Sequence, residues 1–176
     1  MNRTVLKYGG YASLVLVIAF VGSYLLMGNE AENYTISEII GYLSILVATL
    51  FAFLGIKEYR DKEQQGTLSF WKGLQIGTLI VILPALIFGL YNLIYVEYLD
   101  PDFMENYYQH QITQIKADFP EDVATAKIEE MESQKEAFQS PMVQFFAMFM
   151  TVFIIGFIVS FISALILKNS PKPSTS

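Results

Sequence analysis

The chain has 176 residues, a net charge of −6 and 53% hydrophobic residues, which makes it more apolar than ordinary soluble domains. It has no cysteine, so disulfide bonds and thiolate metal sites are excluded. A basic stripe suited to nucleic acid is absent, and no nucleophile–base pair or metal-ligand set can be assembled. We therefore expect neither an enzyme nor a bound cofactor or metal.

Four long apolar runs organise the chain. A membrane-spanning helix needs about 20 consecutive apolar residues, and the runs cover about residues 8–27, 36–56, 74–96 and 142–167. They predict an all-α integral membrane protein in which residues 1–176 form one membrane domain with four transmembrane helices. We interpret the first run as a span rather than a cleaved signal peptide, because it is long and lacks a small-x-small cleavage pattern.

The segment between the second and third runs is the densest basic cluster in the chain. Gly66 is expected to end one helix, and Thr67 or Ser69 to cap the next. Bases beside a span bias its insertion, and aromatic rings favour the membrane interface. We predict that the following residues orient and anchor the protein: Lys57, Arg60, Asp61, Lys62, Trp71 and Lys72. Asp61 is expected to pair with Arg60.

Small residues at four-residue spacing mark the third and fourth runs. In lipid such residues let helices approach closely, and a proline inside a span should kink it. The predicted helix-packing residues are Gly73, Gly77, Pro84, Gly156 and Ser160. The pair Gly73 and Gly77 also matches a dimerisation motif. We favour packing inside one bundle, with a homo-oligomer as the alternative.

Residues 100–140 form the one substantial extramembrane segment. Asp100 is expected to cap a helix with Pro101 in its first turn. Apolar residues at helical spacing then precede Pro120, and a second, weaker apolar stripe follows it: Met104, Tyr108, Ile112, Ile115 and Phe119, then Ala124, Ile128, Met131 and Phe138. The pattern predicts an antiparallel helical hairpin, with His110 as a solvated residue. The polar residues 168–176 are predicted to be a disordered tail.

Basic residues predict which way the chain is threaded. Eight lie in the head, the central segment and the tail, against three in the hairpin. The bias places both termini in the cytoplasm and the hairpin on the extracytoplasmic side. The hairpin region also carries 11 of the 17 acids: Glu97, Asp100, Asp102, Glu105, Asp118, Glu121, Asp122, Glu129, Glu130, Glu132 and Glu136.

Several short motifs resemble the bacterial membrane-protein family called domain of unknown function 4199. They are Thr4 to Gly9, Glu38 to Tyr42, Gly55 to Asp61, Phe70 to Gly73, Pro101 to Glu105 and Ser163 to Leu167. The resemblance covers nearly the whole chain. It implies a four-helix protein of the inner membrane of Gram-negative bacteria, and it implies no activity and no binding residue.

For function, the sequence favours a non-enzymatic interaction or accessory protein of the inner membrane. Its expected partners are the lipid bilayer and a protein that meets the hairpin at about residues 100–140, without nucleic acid. A small transporter or channel subunit is the alternative. That reading rests on Pro84, Gln75 and Asn92 in one span, while charged residues are missing deep in the spans, where transport pathways usually have them.

Overall fold

The computed structural model describes residues 1–28 and 34–169. Within them the chain forms six α-helices: α1 (Asn2–Met27), α2 (Tyr34–Glu58), α3 (Phe70–Ile94), α4 (Phe103–Asp118), α5 (Glu121–Phe138) and α6 (Pro141–Leu167). One π-helical turn extends α2 through Tyr59–Glu63, and another extends α3 through Tyr95–Leu99. The all-α prediction is confirmed for the described residues.

Four of these helices, α1, α2, α3 and α6, are long and apolar enough to cross a membrane. The shortest, α2 and α3, have 25 residues each, or about 38 Å at 1.5 Å per residue. That length exceeds the roughly 30 Å of bilayer hydrocarbon. The chain is therefore a multi-pass membrane protein by the length and composition of its helices.

The four long helices form a bundle in which α3 and α6 share the most extensive contact. Helix α1 packs on α2 and α3, and α2 also packs on α6. This places α1 and α6 at opposite corners. Buried side chains form two apolar clusters along the bundle, one around Ile56, Ile76 and Ile80 and the other around Leu16 and Phe88.

The head, the α2–α3 connection and the end of α6 meet at one end of the bundle, here called the head end. Lys7 of α1 reaches Glu58 of α2, and Leu68 pairs with Asn169 through two backbone hydrogen bonds of 3.0 and 2.9 Å. Gly66, at a φ of +85°, closes the turn after α2. Asn169 is thus held in place at the start of the predicted disordered tail, and residues 170–176 lie outside the described residues.

Local signals explain where two helices begin. The Ser69 hydroxyl caps α3 by accepting a hydrogen bond from the Lys72 backbone N–H at 3.3 Å, as predicted. Pro141 begins α6, where its missing N–H costs no helical hydrogen bond. Helix α3 is continuous on both sides of Pro84, which is fully buried.

The hairpin region contains α4 and α5, joined at Pro120. Glu105 near the start of α4 pairs with Lys135 near the end of α5 at 2.7 Å. Lys127 lies over the ring of Phe119 close to the turn. Contacts that join opposite ends of the two helices require an antiparallel arrangement.

The predicted start of α4 is wrong. The helix begins at Phe103 with Asp102 at its N-cap position, and Asp100 does not cap it. Asp100 is instead buried, and one of its carboxylate oxygens lies 3.4 Å from the Tyr95 hydroxyl. The π-helical turn Tyr95–Leu99 extends α3 to the residue before Asp100, and the Asp100 N–H bonds to the Tyr95 carbonyl at 2.8 Å.

Candidate functional site

Ionic contacts at the head end centre on Glu58, which is 20% exposed. Its carboxylate accepts hydrogen bonds from Lys7 Nζ at 2.8 Å, from the Tyr8 hydroxyl at 2.9 Å and from Lys62 Nζ at 3.4 Å. We call these four residues the Glu58 cluster. It ties the start of α1 to the end of α2, and charge-assisted hydrogen bonds of this kind are the strong ones.

An open cleft of about 770 Å³ lies beside the Glu58 cluster. Residues from the start of α1 form one wall, and the end of α2 with its π-helical turn forms the other. The lining residues are Met1, Arg3, Thr4, Lys7, Tyr11, Glu58, Lys62 and Glu63. Thr4 donates a hydrogen bond to Glu63 at 2.5 Å, which closes one side of the cleft.

The predicted anchor residues lie at the head end but do not form one site. Arg60 pairs with its neighbour Asp61 at 2.7 Å, as expected. Lys57 is exposed, and Lys72 Nζ bonds to Gln75 on the first turns of α3 at 3.1 Å. The Trp71 ring is 75% exposed. Lys62 is the one predicted anchor residue that belongs to the Glu58 cluster.

Four of the five predicted packing residues, Gly73, Gly77, Gly156 and Ser160, lie along the contact between α3 and α6, and Pro84 is buried within α3. A Cβ atom at Gly77 would lie 2.7 Å from the Ser160 Cβ, and one at Gly73 would lie 3.2 Å from the Ala164 Cβ. Gly156 faces Val81 in the same way. The Ser160 hydroxyl donates to the Gly156 carbonyl at 2.7 Å and so has a partner inside its own helix.

Two amide side chains connect α3, α6 and the end of α5. Gln144, which is buried, donates to the Phe138 backbone carbonyl at 2.8 Å. Its oxygen lies 3.4 Å from the Asn92 amide nitrogen. Asn92, one of the residues behind the transporter alternative, is thus engaged in a contact between α3 and α6.

The opposite end of the bundle carries an aromatic junction between α2 and α4, which the sequence analysis missed. The Tyr34 ring packs against Phe103, Tyr107 and His110, with its centroid 5.4 Å from that of His110. Gln114 adds a hydrogen bond to Thr35 at 3.3 Å. His110 is therefore half-buried, and its prediction as a solvated residue is wrong.

A spacing signal for this junction is present in the sequence. Phe103, Tyr107, His110 and Gln114 recur at intervals of four, three and four residues, which places them on one face of α4. The face that packs on α5 has the same period and a more apolar composition. The spacing signal of the aromatic junction is the weaker of the two, and it overlaps the signal of the face that packs on α5 because both faces lie on α4.

Two carboxylates near the base of the hairpin have pKa values shifted in opposite directions. Burial raises the pKa of Asp100 above its ordinary value. The hydrogen bond from Lys135 lowers the pKa of Glu105, and the same pair raises the pKa of Lys135. In residues 1–28 and 34–169, no group of three or more His, Cys, Asp or Glu side chains is placed to hold a metal ion.

Comparison with known proteins gives one match. A family model described as "Protein of unknown function (DUF4199)" matches residues 7–169. No curated protein matches the chain, and no solved structure matches it.

Proposed function

The chain belongs to the DUF4199 family of proteins of unknown function, and from that premise we propose that it is a non-enzymatic interaction protein of the bacterial inner membrane. In this proposal α4 and α5 form a docking surface for a protein partner with a basic segment. The four long helices hold that surface at the membrane.

The proposed threading places both termini in the cytoplasm and the hairpin outside. Its support is the excess of basic residues in the head, the central segment and the tail. The contacts Lys7–Glu58 and Leu68–Asn169 gather these three segments at the head end. The seven of their bases that the structure describes therefore lie at one end of the four-span bundle.

The observation that carries the docking proposal is the exposure of acidic side chains around α4 and α5. Of the acids there whose side chains the structure describes, nine are exposed: Glu97, Asp102, Glu105, Asp118, Glu121, Asp122, Glu129, Glu130 and Glu132. Among the described residues only Glu105 of this set forms an ion pair. Complementary charge on a partner speeds association and selects against wrong partners, so a basic segment fits this surface.

The shape of the hairpin supports the same proposal. The apolar faces of its two helices pack against each other and against the aromatic junction. Ala124 of α5 is buried, and Tyr34 contacts α4. Acidic side chains therefore dominate the surface that is left to solvent. The exposed negative charge of the hairpin can act directly in binding a partner. The contacts described for α4 and α5 do not require a reaction on a substrate.

Site-specific photo-crosslinking in cells tests the proposal. A photoreactive residue replaces Ala126, which is exposed on α5, and a control replaces Asn2, which is exposed at the head end. We expect a reproducible adduct with one protein at Ala126 only. A variant with neutral amides at four acids should lose most of that adduct: Asp122→Asn, Glu129→Gln, Glu130→Gln and Glu132→Gln.

Two outcomes contradict the docking proposal. One is an adduct that is unchanged in the neutralised variant, since the acidic surface would then be irrelevant. The other is flux of a solute through the purified chain in liposomes with no partner added, which would favour the transporter or channel alternative. If the crosslinked protein is a second copy of this chain, the chain forms a homo-oligomer and the basic segment that binds the hairpin belongs to this chain.

A further inference from the structure

The cleft beside the Glu58 cluster has an excess of positive charge. Its lining side chains include three bases, Arg3, Lys7 and Lys62, and two acids, Glu58 and Glu63. The Met1 ammonium also lines the cleft and pairs with Glu63, so the lining carries a net positive charge of two. An anionic ligand would offset part of this excess.

Both acids in the cleft already have donors. Glu58 accepts hydrogen bonds from Lys7, Tyr8 and Lys62, and Glu63 accepts one from Thr4. An incoming anion therefore does not meet a bare carboxylate. Glu58 instead fixes the position of Lys7 on one wall of the cleft, and Glu63 also receives the Met1 ammonium.

Two of the bases still have hydrogen-bond donors to offer. Arg3 is exposed and forms no ion pair with any residue that the structure describes. Lys62 is 73% exposed, and its 3.4 Å contact with Glu58 is the longest in the cluster. A guanidinium with five N–H donors and an ammonium with three can bind phosphate oxygens from two directions.

The surroundings of the cleft are apolar and open to lipid. Tyr11 lines the cleft and is 47% exposed, and Leu14 one turn further along α1 is 56% exposed. Leu6, on the first turns of α1, is 67% exposed. In a helix that spans a membrane, such side chains face acyl chains. A ligand with an anionic head and an apolar tail matches both parts of the site.

We propose that this cleft binds the phosphodiester headgroup of an anionic phospholipid, with Arg3 and Lys62 contacting the phosphate oxygens. Lys7 adds charge from the Glu58 cluster, and the acyl chains lie along Tyr11 and Leu14. A phosphodiester with an uncharged glycerol headgroup carries one negative charge and offsets part of the positive charge of the lining. This inference stands apart from the docking surface on α4 and α5, which lies at the other end of the bundle.

Native mass spectrometry of the full chain tests the proposal. The protein is purified in detergent and titrated with phosphatidylglycerol, with phosphatidylcholine, or with inorganic phosphate. We expect one tightly retained phosphatidylglycerol per chain. The variant Arg3→Gln/Lys62→Gln should bind it about tenfold more weakly or worse, since each base near an anionic lipid contributes roughly 1 kcal/mol.

A matched control removes the same charge outside the cleft. Lys57→Gln/Arg60→Gln loses two bases at the same end of the bundle, and neither residue lines the cleft. Its affinity for phosphatidylglycerol should stay within about twofold of the unmodified chain, because bulk charge alone does not make the site. Both variants change side chains that are not buried, and their thermal unfolding without lipid checks that each is folded.

Three results would overturn the inference. Equal losses in the two variants would mean that net charge at the head end, and not the cleft, attracts lipid. If phosphatidylcholine is retained as tightly as phosphatidylglycerol, the negative charge of the headgroup does not determine binding to the cleft. Displacement of the lipid by millimolar inorganic phosphate, with the same dependence on Arg3 and Lys62, would assign the cleft to free phosphate instead.

Discussion

A methyl group added at Gly77 should destabilise the bundle through the contact between α3 and α6. In Gly77→Ala the new Cβ would lie 2.7 Å from the Ser160 Cβ and 2.9 Å from the Ile56 Cδ1. Carbon atoms in good contact are about 3.5–4.0 Å apart. The helices must therefore separate by about 1 Å, and overpacking of this kind typically costs about 1–3 kcal/mol.

The Gly77→Ala prediction has a control within α1. A Cβ at Gly22 meets nothing within 4 Å, so Gly22→Ala should leave stability unchanged or slightly raised. Reversible unfolding of the purified chain in mixed micelles, followed by circular dichroism, measures both variants. The double variant Gly77→Ala/Ser160→Gly should recover part of the loss, because it removes the main clashing atoms.

Two results would contradict the predicted cost of Gly77→Ala. If Gly77→Ala is as stable as Gly22→Ala, then α3 and α6 are not packed as closely as the structure places them. If the double variant shows no favourable coupling, the cost arises elsewhere along α3. The Ile56 atom nearest to the new Cβ is Cδ1, at the end of a flexible side chain. Ile56 should therefore contribute less than Ser160 to the destabilisation by Gly77→Ala.

Three further predictions concern the base of the hairpin. Gln144→Leu should cost about 1–3 kcal/mol in the same unfolding assay, since it leaves the Phe138 carbonyl without its donor; an unchanged stability would contradict this. The lowered pKa of Glu105 stabilises the fold above the ordinary glutamate pKa and ceases to do so as pH falls through the lowered value. The protection of α4 amides from hydrogen exchange, corrected for the intrinsic exchange rate at each pH, should therefore fall below about pH 4, and Lys135→Met should abolish that fall if the pair is its cause. The raised pKa of Asp100 has the opposite effect on stability. The cost of burying the charged carboxylate grows as pH rises above the ordinary aspartate pKa, so Asp100→Asn should gain stability relative to the unmodified chain as pH rises. A gain that is constant with pH would refute this prediction.

The four spans could be predicted because their signal is compositional. A helix that must cross about 30 Å of hydrocarbon satisfies its own backbone hydrogen bonds and needs only an apolar surface. The close approach of α3 and α6 also leaves a local signal, since Gly73, Gly77 and Gly156 lack the side chains that would block it. Such features depend on one helix at a time.

The contacts between distant segments could not be predicted in the same way. Lys7 and Glu58 are 51 residues apart, and they meet only because α1 and α2 are rotated to face each other at the head end. The burial of Asp100 depends on the π-helical turn that carries α3 past its expected end. The composition of a single apolar helix determines neither its rotation nor its register, because lipid solvates every apolar face of the helix equally well.

Thiol labelling in intact cells tests the central claim most directly, namely that the head end and the hairpin lie on opposite sides of the membrane. The chain has no cysteine, so Lys116→Cys and Lys62→Cys each introduce a single thiol. Both positions are exposed. An impermeant maleimide should label Lys116→Cys in intact cells and Lys62→Cys only after the membrane is permeabilised. The reverse pattern, or equal labelling of both in intact cells, would contradict the threading and with it the proposed outward docking surface.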